Sequence, residues 1–76
     1  MEDVEVNLPI RLGQFVKYAS LAGSGAEAAE LVRAGEIVVN GVVETRRGHK
    51  LSDCDVVAMD LPNGRRIEVR VVAAED

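Results

Sequence analysis

At Gly35 the spacing of apolar residues changes, and this constrains the chain to helices before that point and strands after it. Upstream, Leu12, Phe15, Val16 and Ala19 recur at the i, i+3, i+4, i+7 positions of one helical stripe. A first helix can therefore start from Pro9, although Gly13 weakens its first turn by about 1 kcal/mol relative to alanine. Leu21-Ala22-Gly23 breaks the pattern. Ser24-Gly25-Ala26-Glu27 then forms a capping box that opens a second helix, predicted to run to about Ala34 and to bury Ala28, Leu31 and Val32. Gly35 is placed to close that helix in a left-handed turn, with Arg33 in its last turn, where a cation suits the helix dipole.

Downstream the pattern is extended. Ile37-Val38-Val39 is β-branched throughout and meets Asn40-Gly41, a hairpin-turn dipeptide, after which Val42 to Thr45 reads as the return strand. Val56 to Met59 and Ile67 to Val72 are two further strands, joined through the turn Leu61-Pro62-Asn63-Gly64. In the last, Ile67, Val69 and Val71 share one face and Glu68 and Arg70 the other. The expected class is α+β: two short N-terminal helices on a small, twisted, mostly antiparallel sheet of about four strands.

The 76 residues amount to a single domain, and 47 % apolar content suffices for a packed core. The acidic start Met-Glu-Asp-Val-Glu-Val lacks the basic region of a secretory signal, and no apolar run approaches a membrane span. With Cys54 as the single cysteine, a reducing, cytoplasmic setting and no membrane association are expected. One histidine and one cysteine fall short of a zinc set, so neither metal nor cofactor is expected, and Asp53 and Asp55 read as shaping the turn into the Val56 strand. No nucleophile–base pair or carboxylate pair stands out, which argues against an enzyme.

The formal charge of −4 opposes nucleic-acid binding at first sight. Much of it lies in Glu2, Asp3, Glu5, Glu75 and Asp76, in ends expected to be loosely held over residues 1–6 and 73–76. Between Asn7 and Ala74 nine Lys/Arg face eight Asp/Glu, a balance of +1. Arg46-Arg47 and Arg65-Arg66 concentrate four of those nine, with Lys50 close behind the first pair.

Ser24 to Ala28, followed by Gly35-Glu36-Ile37-Val38-Val39-Asn40-Gly41, resembles the signature of the S-four RNA-binding domain, named after ribosomal small-subunit protein four. That family runs helix, turn, helix, then a strand ending in Gly-x-Val-x-Val-Asn-Gly, with isoleucine at the first valine here. Ile10 to Phe15 and Glu44-Thr45-Arg46-Arg47-Gly48-His49-Lys50-Leu51 are similar to its small, stand-alone, YbcJ-like bacterial branch. The resemblance covers about residues 8 to 60 and implies an alpha-L fold that holds structured, commonly ribosomal, RNA against the helix pair and the loop after the first strands.

Carried over position by position, the candidate RNA-binding residues are Lys17, Ser24, Gly25, Arg33, Asn40, Arg46, Arg47 and Lys50. One departure stands out: Ala26 and Ala29 occupy the second helix where relatives usually carry lysine or arginine, so contact shifts toward Arg46, Arg47 and Lys50. Serine at position 24 also suits a plain helix cap, and Asn40 is first of all a turn residue. The expected protein is a monomeric, non-catalytic RNA-binding module; the alternative is a protein-interaction module on the same fold, for which the negative charge and the two alanines speak.

Overall fold

The computed structural model describes residues 1–75, so the expectation for Asp76 lies outside the described residues. Nine elements follow in order: β1 (Glu2–Val6), β2 (Ile10–Arg11), α1 (Leu12–Tyr18), α2 (Gly25–Arg33), β3 (Ile37–Val39), β4 (Val42–Val43), β5 (Lys50–Leu51), β6 (Val56–Asp60) and β7 (Arg66–Ala73). The class is α+β, as the change of period at Gly35 implies. The sheet has five strands in the order β1-β7-β6-β3-β4, and β2 pairs separately with β5 as a two-stranded ribbon.

Two expectations are corrected by the first strand. The helices are not N-terminal, because β1 and β2 precede them, and the sheet has five strands rather than about four. Glu2 to Val6 pairs in parallel with β7, Val4 opposite Val71 and Val6 opposite Ala73. Val6 is only 5 % exposed, and its burial in the core, together with the ladder to β7, accounts for the order of this acidic segment. At the other end, Ala73 belongs to β7 and the Ala74 N–H donates to the Val6 carbonyl at 2.8 Å.

The second helix is built as its sequence implies. The Ser24 hydroxyl accepts from the Glu27 N–H at 3.1 Å, while the Glu27 carboxylate reaches one residue further back than a capping box requires, to the Gly23 N–H. At its end the Glu36 N–H donates to the Leu31 carbonyl and the Gly35 N–H to that of Val32, a Schellman pattern closed by Gly35 at φ +79°. The first helix begins at Leu12 rather than Pro9, because Ile10 and Arg11 are drawn into β2.

Asn40 and Gly41 have φ of 51° and 84°, the left-handed pair that a two-residue hairpin needs, and they set Val39 opposite Val42. The return strand β4 ends at Val43, shorter than expected. Leu12, Phe15 and Val16 of α1 and Ala28 and Val32 of α2 bury against Ile37, Val57, Val69 and Val71 of the sheet. The helix pair is thereby fixed on one side of the sheet, and the segment from Glu44 to Lys50 closes against the start of α1.

Candidate functional site

Two backbone hydrogen bonds position this closing segment. The Leu12 N–H donates to the His49 carbonyl at 2.8 Å and the Gly13 N–H to the Arg47 carbonyl at 2.9 Å. These are amides of the first helical turn, which have no partner inside the helix, so the loop satisfies donors that would otherwise need water. A Cβ on Gly13 would stand 3.3 Å from the Arg47 Cβ, so any larger residue there would push the loop back by a few tenths of an ångström. The Arg11 guanidinium adds a bond to the Gly48 carbonyl at 3.3 Å.

Glu44 braces the loop from within. Its carboxylate accepts from the Arg46 backbone N–H and from the Arg46 Nε and Nη2, at 3.0 to 3.2 Å, and its other approach is to His49 Nδ1 at 3.3 Å. With the Arg46 side chain clasping it, the Glu44 carboxyl is held down at about 2, well below its ordinary 4.5. The same contact raises the Arg46 guanidinium above its ordinary value.

The result is an open groove of about 470 Å³ between the two helices and the loop. Gly13, Gly25, Ala29 and Gly48 line it with nothing larger than a methyl group, and Arg11, Gln14, Lys17 and Arg47 supply its polar lining. No acidic residue lines it. Away from the groove four cations are held by carboxylates: Arg33 pairs with Glu30, Arg46 with Glu44, Arg66 with Asp60 and Arg70 with Asp3. Among the described residues Arg11, Lys17, Arg47, Lys50 and Arg65 have no carboxylate within ion-pair reach, and three of these five line the groove. Lys50 stands directly opposite Arg11 in the β2–β5 ribbon, so two like charges share one face. Such a cross-strand pair costs stability unless an anion sits beside it.

The fold therefore brings together three of the sequence-predicted residues, Lys17, Gly25 and Arg47, with Lys50 adjacent across the ribbon. It sets the others apart. Arg33 lies at the far end of α2 with Glu30. Ser24 spends its hydroxyl on the helix cap, and Arg46 is clasped by Glu44. Asn40 spends its side-chain amide inside the chain, accepting from the Val56 N–H and donating to Asp55 Oδ1, both at 2.9 Å.

Arg11 was not singled out by sequence reasoning. It sits beside the expected start of a helix, and only closure of the residue 46–49 loop carries it into the groove. The signal that could have found it is its place in the Ile10 to Phe15 segment on which the family resemblance partly rests.

Asp53 and Asp55 shape the turn before β6, accepting from the Ala73 and Ser52 N–H groups respectively. Hydrogen bonding to Asp53 pushes the Cys54 thiol up, which disfavours a reactive thiolate. No group of three or more metal-ligating side chains occurs among the described residues, and no helix there is long and apolar enough to cross a membrane.

A fold with this helix pair, hairpin and basic groove defines a class, and comparison places the chain in it: the S4 domain family model matches residues 4–70, and the chain belongs to that family. Among individual proteins, it is similar to one from Bacillus subtilis (strain 168) described as "Probable ribosome maturation protein RlbA". The two are 41 % identical over 51 residues, which make up 67 % of this chain and 72 % of that protein.

Proposed function

We propose that this chain is a non-catalytic module that binds structured RNA, most naturally ribosomal RNA, through phosphate contacts made from the groove and its loop. One observation carries the reading: in a chain of net charge −4, three of the five cations without carboxylate partners among the described residues line one groove that no acid lines. Phosphate binding is an electrostatic exchange of counterions for Lys and Arg, so local charge decides it rather than the net value. Arg11 and Arg47 offer planar forks that suit phosphate oxygens, and Lys17 a mobile point charge. The similarity to a protein described as acting in ribosome maturation supports ribosomal RNA as the target and the cytoplasm as the place of action. Ala29, standing where relatives usually carry a basic residue, leaves space in the groove instead of charge.

The test is a titration of isotope-labelled protein with structured ribosomal RNA fragments at low salt, followed by amide NMR shifts. Shifts gathered on residues 11–17, 25–29 and 46–50 are the expected result. A spectrum unmoved at high RNA concentration contradicts the reading.

A second reading, a protein-interaction module, draws on a different surface. Val42 and Val43 are 70 % and 54 % exposed on the edge strand β4, away from the groove lining. A partner retained from lysate after nuclease treatment, and lost on Val43→Lys, supports that alternative.

A further inference from the structure

Resting on the RNA reading, we infer that the groove is built to receive a single unpaired nucleotide, so that the preferred ligand is an RNA helix interrupted by a bulge rather than a continuous duplex. The shape of the groove is the first argument. Its volume of about 470 Å³ falls within the range of roughly 300–1,000 Å³ seen for clefts that take small molecules, and its open side leaves a way in. A continuous A-form helix presents a wide, shallow minor groove and a row of phosphates, neither of which fills a cavity; an extruded base does.

The lining is the second argument. Gly13, Gly25, Ala29 and Gly48 project no side chain beyond Cβ, so the space is kept open by the sequence. A Cβ placed on Gly25 would meet nothing within 4 Å, and its absence there is not a packing requirement. Ala29 lines the groove with a methyl group alone, which leaves the space beside Gly25 open.

The polar groups are the third. Gln14 accepts from the Arg11 N–H through Oε1 at 3.1 Å, which leaves its amide nitrogen as an uncommitted donor for a base edge. No aromatic residue lines the groove: Phe15 is fully buried, and exposed Tyr18 is not part of the lining. Stacking therefore falls to the guanidinium planes of Arg11 and Arg47, a surface on which unpaired bases do stack. The same two residues and Lys17 neutralise the phosphates that flank an extruded nucleotide.

The experiment compares two RNA hairpins identical except for one unpaired nucleotide in the stem, measured by fluorescence anisotropy at low salt, with 2-aminopurine at the unpaired position in a parallel sample. The bulged hairpin is expected to bind about ten-fold more tightly, with the 2-aminopurine emission changing on binding. Filling the groove by Ala29→Leu, or by Gly25→Leu where the first variant does not fold, is expected to bring that preference below about two-fold. Equal affinity for the two hairpins, with emission unchanged, overturns the inference while the RNA reading stands. Absence of binding to either hairpin, and to ribosomal RNA fragments, removes the RNA reading itself and the inference with it.

Discussion

Gly13 and Arg47 meet through their backbones: the Gly13 N–H donates to the Arg47 carbonyl at 2.9 Å, and a Cβ on Gly13 would lie 3.3 Å from the Arg47 Cβ. This contact joins the first helix to the loop that carries the candidate phosphate ligand. It also explains a glycine that helix propensity alone disfavours by about 1 kcal/mol.

Replacing that glycine tests the contact. In Gly13→Ala the gain in helix propensity opposes the displacement of the loop, so net stability is expected to stay within about 1 kcal/mol of the parent in urea unfolding. RNA affinity is expected to fall nonetheless, with amide shifts confined to α1 and residues 46–49. An affinity equal to the parent's means that the Arg47 loop does not need this placement.

Arg46 and Arg47 are neighbours with different surroundings, and they separate under mutation. Arg47 lines the groove without a carboxylate partner, whereas Arg46 is clasped by Glu44. Arg47→Gln is expected to weaken RNA binding by about ten-fold, in the range of a charged hydrogen bond. Arg46→Gln is expected to cost less and to loosen the loop, seen as faster amide exchange at residues 44–49. Equal losses from both identify Arg46 as a direct contact.

For Asn40 the expectation is a structural loss. Asn40→Ala removes the partner of the Val56 N–H and places a Cβ residue without a polar side chain at φ 51°, at a cost of about 1–3 kcal/mol. Asn40→Gly loses the same hydrogen bonds but relieves the backbone, so it is expected to be the milder change in thermal unfolding. A glycine variant as unstable as the alanine one assigns the whole effect to the side-chain amide.

The brace at Glu44 carries a pH signature. Its folded-state pKa of about 2 lies below its ordinary 4.5, so the contribution to stability is fully present above about pH 4.5 and is lost as pH falls through 2. Carboxyl NMR titration is expected to find Glu44 still ionised well below pH 4.5. Titration near 4.5 means that the Arg46 clasp is not maintained in solution.

Much of this architecture is legible in local sequence. Ser24 and Gly35 delimit α2, and Asn40-Gly41 marks the hairpin, because each acts through its own backbone or its nearest neighbours. The strand β1 was not legible. Val4 and Val6 alternate with charged residues, but their partner is β7, more than 60 positions away, and only that pairing turns an acidic end into a strand. The site divides in the same way. Lys17, Gly25, Arg47 and Lys50 are identifiable from family resemblance and charge clusters. Arg11 enters only through loop closure; the Glu30–Arg33 pair follows from helical i,i+3 spacing, whereas Arg46 and Asn40 are engaged by Glu44 and Asp55 through the loop and sheet geometry.

The salt dependence of RNA affinity tests the central claim most directly. With Arg11, Lys17 and Arg47 each meeting a phosphate, the log–log slope against salt is expected to be about −2 to −3, and each single substitution to glutamine to reduce its magnitude by roughly 1. Arg66→Gln and Arg70→Gln, which remove cations already paired with Asp60 and Asp3, are expected to leave it unchanged. A slope near zero, or one that responds to Arg66 and Arg70 instead of the groove residues, contradicts the account.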